Sequence, residues 1–389
     1  MNLFNPYIVL VAACLWAASA VAQSPDEQPA TVAQTAPQPA RVMAPQALFE
    51  LQEETDDRTE MHRTIVKSFT VDAKDALSID NRFGDVNVSL WDRNEMRVEI
   101  AITSSSQSAD RARQALNAVS LDERRDGETY LFKTVIAAGF EGGWKKGDRR
   151  NFLRVDYRIS MPKNNKLAIK NSFGNTIIPD FWAPLSVESS FGNVYGATLN
   201  NLTTKIKASF GNVSIRDVQH GNVVMSFGDV DINSGNVLSI QQTYGKLNIG
   251  ETNKVDARTS YTDALIGSVR QSGKFKMNYA KQFRVERIGA SAEKIDVEAS
   301  YSTVALPMQS TPNCDFDVTV THGGFTYPTL PNLQLLAQPG PPPPPPLTGV
   351  SITSPARSGR VRQYVGKVGT GEGPSIKVVA TYGDVRFNK

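Results

Sequence analysis

The sequence predicts an all-β protein, a parallel β-solenoid with short coils of 17–19 residues, fronted by a strand-rich N-terminal cap with one helix. Three observations point there. An aromatic followed by a small residue recurs at a short, nearly fixed spacing, a Ser or Thr stands before most of these aromatics, and apolar residues alternate with polar ones on both sides. A short constant period marks an architecture whose units bury their apolar faces only against one another.

The aromatics are Phe173, Phe191, Phe210, Phe227, Tyr244, Tyr261, Tyr279 and Tyr301, at steps of 18, 19, 17, 17, 17, 18 and 22 residues. Gly174, Gly192, Gly211, Gly228 and Gly245 follow the first five, and the same phrase returns with Gly84 after Phe83 and Gly383 after Tyr382. Four residues before the aromatic comes an apolar side chain such as Ile169, Val187, Ile206, Val223 or Ile240. Three and five residues after it come pairs such as Val213 with Ile215 and Val230 with Ile232. Each unit therefore reads as a strand, a tight corner and a second strand, with inward side chains at period two. Eighteen residues at ~3.3 Å each give a circuit of ~60 Å, and stacking at ~4.8 Å sets each ring over the last. The expectation is a Phe/Tyr ladder beside a Ser/Thr ladder. The corner glycine would supply positive φ or a close backbone approach, and Asn or Asp next to it suits the same corner. The step of 22 places an insertion or bulge near Phe283.

The other elements follow in chain order. Residues 1–22 carry no Lys, Arg, Asp or Glu and end in Ala20-Val21-Ala22, which reads as a signal peptide and predicts export to the periplasm or cell surface. Val11-Ala12-Ala13-Cys14 resembles a lipobox, so a lipid anchor at Cys14 is the alternative; the apolar residues after Cys14 favour soluble export. Residues 23–63, rich in Ala, Pro and Gln and then acidic, read as a disordered tether. Alternation from Thr64 makes 64–161 a strand-rich cap, with Ala109, Ala112, Leu116 and Val119 on one face of a helix near 108–119. The repetitive region spans 162–335, a proline-rich loop 336–349 and C-terminal closing strands 350–389, with Ser375 to Phe387 expected at the far end. No later run is apolar enough for a membrane span.

The recurring Ser-Phe-Gly-Asn-Val, with Phe83-Gly-Asp-Val-Asn-Val-Ser-Leu-Trp91-Asp92 upstream and a terminal Tyr382-Gly-Asp-Val, resembles the bacterial putative-adhesin family of unknown function. The resemblance covers about Ile65 to Phe387. It implies an extracytoplasmic β-solenoid and assigns no catalytic residues.

Chemical sites are scarce in the sequence. The 42 Lys and Arg against 39 Asp and Glu leave a surplus too small for a nucleic-acid surface. The column Asp85, Asn175, Asn193, Asn212, Asp229, Asp263, Asp384 is rich in oxygen, but Lys246 and Lys281 interrupt it and single Asn side chains cannot supply the six to eight oxygens of a calcium site. His62, His220 and His322 are far apart and read as solvated histidines, not metal ligands. No Gly-x-Ser-x-Gly elbow occurs, and Gly369-Thr-Gly-Glu-Gly373 lacks the lysine of a phosphate loop. Trp91, Trp144, Phe181 and Trp182 are candidates for stacking on sugars. Lys145, Lys146, Arg149 and Arg150, and Arg357, Arg360, Arg362 and Lys367, form basic clusters read as solvated loop charge. The expectation is a non-catalytic, cofactor-free and metal-free envelope module that binds an unknown envelope protein or glycan. The alternative is a polysaccharide-processing enzyme on the same scaffold.

Overall fold

The structure, a computed structural model, describes residues 58–140, 152–308, 311–337, 352–353 and 361–388. The segment 1–22 with Cys14, residues 23–57, Trp144, the basic residues 145–150, residues 338–349 with the proline run, Arg357 and Arg360 lie outside the described residues.

The chain is all-β: its strands join one open sheet, and Ala109–Asn117 is the single helix among the described residues. From Lys166 to Ser300 each unit pairs in parallel with the next at the spacing of the aromatics. Leu185–Ser190 runs between Lys166–Ser172 and Thr204–Ser209, with Val187 opposite Ile169 on one side and Ile206 on the other. Val213–Ser226 continues the register into the 49-residue strand Val230–Asn278, which passes through several corners without leaving the sheet. The in-register columns explain the sequence alternation. Ile169, Val187, Ile206, Val223 and Ile240 are all buried above one another, as are Val194, Val213, Val230 and Leu247. Each buried Val, Leu or Ile side chain contributes ~1.5–3 kcal/mol by leaving water, so the stack is held by repetition of modest increments.

The sheet as a whole is mixed, with antiparallel strands at both ends of the parallel units. At the N-terminal end Thr59–Thr70 pairs antiparallel with Glu95–Ser106, which pairs antiparallel with Phe152–Pro162, and Val119–Asp126 forms a hairpin with Thr129–Ile136. At the C-terminal end Cys314–Thr321 and Leu333–Ala337 both pair antiparallel with Val361–Val368. Hairpins suit the ends because a parallel partner needs another full unit, whereas an antiparallel one needs only a short turn. They also cover strand edges that would otherwise stand open.

Further differences from the sequence reading are local. Residues 59–63, expected in the tether, belong to the first strand and pair with Ile102 to Ser106. Val119, expected on the helix face, starts the next strand. Ser375–Thr381 does not close the far end. It lies parallel between Lys294–Ser300 and Cys314–Thr321, so the last unit of the chain is inserted below the unit that precedes it in sequence. At the other end Ala76–Arg82 lies directly against Lys166–Ser172, so the Phe83 unit continues the stack across a sequence separation of 90.

A buried polar network fixes that junction. Asn81 donates to the Val155 carbonyl at 2.9 Å and to Asn171 Oδ1 at 3.2 Å, and its own Oδ1 accepts from Thr134 Oγ1 at 3.0 Å. Thr134 also bonds the Tyr157 hydroxyl at 2.8 Å. Burial pushes the Tyr157 phenol up to about 12, with the Thr134 hydrogen bond opposing and Asp80 adding to the rise. Among the described residues no helix is long and apolar enough to cross a membrane.

Candidate functional site: an exposed aromatic column

The corner of each unit is built in an unusual way. Of the two roles the sequence offers the corner glycines, positive φ or close approach, the second holds at every one, and positive φ falls on the aromatic: Phe173 (62°), Phe191 (56°), Phe210 (55°), Phe227 (59°), Tyr244 (60°), Tyr261 (52°), Tyr279 (56°) and Tyr301 (51°), together with Phe83, Tyr382 and His322; of the corner glycines Gly245 shares it. A left-handed backbone costs a non-glycine residue roughly 1–2 kcal/mol. Ring stacking, at ~0.5–1.5 kcal/mol per pair, and burial of half of each ring offset that cost. The glycine serves close approach instead. A Cβ on Gly192 would lie 1.9 Å from the Gly174 carbonyl oxygen, and one on Gly174 would lie 1.9 Å from that of Gly84. Gly211, Gly228, Gly245 and Gly383 meet the unit below in the same way, at 1.7–2.1 Å. Gly84 stands against the Val155 carbonyl at 2.1 Å.

With every corner alike, the rings stack. Phe83, Phe173, Phe191, Phe210, Phe227, Tyr244, Tyr261, Tyr279, Tyr301 and Tyr382 follow one another at centroid spacings of 4.8–5.1 Å, with nearly parallel planes from Phe173 onward. His322 completes the column 4.5 Å from Tyr382. The sequence reading treated His322 as a solvated histidine and left Phe83 and Tyr382 outside the ladder. The signal for His322 was present: Thr321 precedes it, Gly323 follows it and Val318 stands four residues before, which is the repeat phrase with His in place of Tyr. Gly323 meets the Gly383 carbonyl at 1.9 Å, as the corner glycines do.

Hydrogen bonds lock the column from both sides. The amides of the five phenylalanines and of Tyr279, Tyr301 and Tyr382 each donate to the carbonyl of a Ser or Thr in the neighbouring unit, as Phe173 does to Ser190 and Phe227 to Thr243, both at 2.8 Å. On the other side a side-chain oxygen accepts the amide of the unit above: Asn193 donates to Asn175 Oδ1 at 3.1 Å, Asn212 to Asn193 at 2.9 Å, Asp229 to Asn212 at 3.1 Å and Lys246 to Asp229 at 2.8 Å. The amide-rich column is thus occupied in joining units. Among the described residues no group of three or more His, Cys, Asp or Glu is placed to hold a metal ion.

The rings from Phe173 to Tyr382 are half exposed, at 44–51%. Their faces are spent on each other, so only ring edges meet solvent. Ser172, Ser190, Ser209 and Ser226 flank the phenylalanines, and Thr243, Ser260 and Ser300 flank three of the tyrosines. Among the described residues the single cation over a ring of the column is Arg82, 5.2 Å from the centre of Phe83. The result is a narrow, apolar-edged strip with a hydroxyl column on one side and, two residues past the rings on the other, a column that includes Asp229, Lys246, Asp263, Lys281 and Asp384.

The sugar-stacking candidates do not converge. Phe181 is fully buried, Trp91 donates its indole N–H to the Glu95 carbonyl at 2.7 Å, and Trp182 alone of the three is exposed. Arg362 is buried and reaches the Gly323 carbonyl, so it is no part of a solvated basic patch. Away from the strip lies an open polar groove lined by Thr198, Asn200, Asp217, Asn236, Glu251 and Arg270. Beside it Asp180 accepts the Thr198 amide at 2.9 Å and an Arg216 guanidinium N–H at 2.7 Å, and the Thr198 amide leads in holding its carboxyl below the usual range. Cys314 is buried, which pushes its thiol up to about 11.

No family model and no curated protein matches the chain. Solved structures similar to it are described as adhesion proteins. A putative cell adhesion protein from Clostridium sporogenes is 11% identical, over 84% of this chain and 99% of its own, with a TM-score of 0.20. A putative adhesin from Parabacteroides merdae is 13% identical over 63% of this chain and 91% of its own, TM-score 0.37. A third, a putative adhesin from Bacteroides fragilis, is 15% identical over 56% and 94%, TM-score 0.33.

Proposed function

We propose that this chain is a non-catalytic, adhesin-like binding module of the bacterial envelope, exported to the periplasm or cell surface, with the half-exposed aromatic strip as its principal contact surface. In this reading the parallel units form a β-solenoid of 17–19-residue coils with a strand-rich cap at the N-terminal end. A cleaved leader, or a lipid anchor at Cys14, followed by the polar segment 23–57, would hold the module away from its point of attachment. The observation that carries the reading is the column itself: nine large aromatics each leave about half their surface in water. Exposed apolar area of that extent marks interaction surfaces more often than idle ones.

The test keeps the backbone and removes the rings. Asn tolerates the left-handed conformation, so Phe191→Asn with Phe210→Asn leaves the corner intact. Pull-down of envelope components by the variant is expected to fall at least tenfold while its circular dichroism matches the parent. Undiminished capture would refute the role of the strip. The polar groove favours one second reading, a polysaccharide-processing enzyme using Asp217 and Glu251. Turnover of an envelope glycan that disappears in Asp217→Asn and in Glu251→Gln would establish it.

A further inference from the structure

The strip has a partner built to its own measure. We infer that the aromatic column is a self-association surface, on which a second copy of this chain docks antiparallel across a two-fold axis passing between Phe227 and Tyr244. The inference rests on the strip being a contact surface, and it names what is contacted.

Three observations support a second copy. The first is spacing: the rings repeat at 4.8–5.1 Å from Phe83 to Tyr382. An unrelated surface would meet a few of these rings and then fall out of step, whereas a second column is commensurate along its entire length. The second is area. Half of the 150–250 Å² of a large aromatic, over nine rings, comes to about 900 Å² per copy. A stable interface buries about 800 Å² per partner. The third is charge. A two-fold interface sets a surface against itself, so a strip charged with one sign would repel its copy. This one carries hydroxyls on one side of the rings from Ser172 to Thr381, with Asn278 the amide among them, and on the other side Asp229, Lys246, Asp263 and Lys281, which alternate in sign, so that Asp229 of one copy meets Lys246 of the other across the axis.

The order of the rings fixes the direction. Five phenylalanines are followed by five tyrosines, with His322 beyond them. Two copies in parallel would put Phe against Phe at one end and Tyr against Tyr at the other, and the extra hydroxyls would wedge the strips apart. Antiparallel docking gives every level one Phe and one Tyr, so the gap is uniform. The hydroxyls of Tyr244, Tyr261, Tyr279 and Tyr301 then reach toward the second copy's serine column at Ser226, Ser209, Ser190 and Ser172, where each finds a hydrogen-bond partner.

Sedimentation equilibrium of the full chain across micromolar concentrations tests this. The expected result is a reversible dimer. Ser226→Arg and Ser226→Glu, each beside the axis, are each expected to sediment as monomers with unchanged circular dichroism. Mixing the two is expected to restore a heterodimer, because opposite charges then face each other. A chain that stays monomeric at all concentrations, or a dimer indifferent to both substitutions, overturns the inference. Either result leaves the strip's binding of envelope components to be judged by the Phe191→Asn, Phe210→Asn capture, so the two readings fail separately. A monomer that co-floats with zwitterionic lipid vesicles, and ceases to do so in that variant, would assign the strip to lipid and would equally overturn self-association.

Discussion

The middle of the molecule and its two ends satisfy the same backbone chemistry by different means. Between Lys166 and Ser300 each strand finds its partners in the units directly before and after it, at constant register, and the corners superpose closely enough to stack rings. Below and above, antiparallel hairpins and one short helix take over, and only the Phe83, Tyr382 and His322 corners keep the repeated form among the described residues. The difference teaches that exact repetition of the corner, more than the hydrophobic filling, constrains the central residues. A helix or hairpin at an end tolerates a shifted side chain, whereas a corner that must carry another corner 4.8 Å above it does not.

That contrast is broken most severely by one methyl group. Gly192→Ala places a Cβ 1.9 Å from a backbone carbonyl that no side-chain motion can relieve, and should cost about 4 kcal/mol or more in urea denaturation. Gly127→Ala, at an end hairpin, meets nothing within 4 Å and carries only the penalty of φ 58°, roughly 1 kcal/mol. Equal losses at the two sites would remove the distinction between corner types. Next in size, Phe275→Ala empties a fully buried ring from the core beneath the corners, for an expected ~3–4 kcal/mol by the same assay.

The N-terminal end should show itself at high pH. Tyr157 has its phenol raised above the unfolded value, so its contribution is complete below pH 10 and is lost as pH climbs through about 12. For a fully buried phenol, a rise from the ordinary value of 10.0 to about 12 corresponds to roughly 2–3 kcal/mol. Stability measured against pH should therefore drop in that window, and Tyr157→Phe should flatten this component. A variant that keeps the same alkaline slope would place the sensitivity elsewhere. Asn193→Ala, which leaves the Asn212 amide without its side-chain acceptor, is expected to cost about 1–2 kcal/mol in thermal or urea unfolding.

The smallest effect lies on the surface. Asp180 has a depressed pKa, so its stabilisation is present above the usual carboxylate range and is lost as pH falls below it. Because the pair with Arg216 is exposed, Asp180→Asn should shift the acid midpoint slightly and change stability at neutral pH by less than ~1 kcal/mol. A larger effect would mean that the groove edge is structurally important.

Much of this was legible in the sequence because a repeat states its rule many times. The aromatic and small-residue phrase marked the corners, and the period-two alternation marked the strands beside Ile206 and Val213. The φ values of the aromatics were not legible, since the usual association of positive φ with glycine misleads when the glycine is needed for close approach instead. His322 escaped because one substitution disguised the phrase. The insertion of Ser375–Thr381 between two earlier units was hidden for a different reason: register is set by neighbours in space, and nothing local in Ser-Ile-Lys-Val-Val-Ala-Thr says which unit lies above it. The antiparallel ends were equally silent, because alternation looks the same whichever way the partner runs.

Stacking of consecutive units in exact register underlies the strip, its exposure and its proposed partners, and cysteine pairing measures it directly. Ser190 lies opposite Ser209, with their hydroxyl oxygens 3.5 Å apart, while Lys207 lies two residues out of register. Under mild oxidation Ser190→Cys with Ser209→Cys should close an intramolecular disulfide rapidly, and Ser190→Cys with Lys207→Cys should remain reduced. Equal closure of both pairs, or closure of the out-of-register pair alone, would contradict the stack.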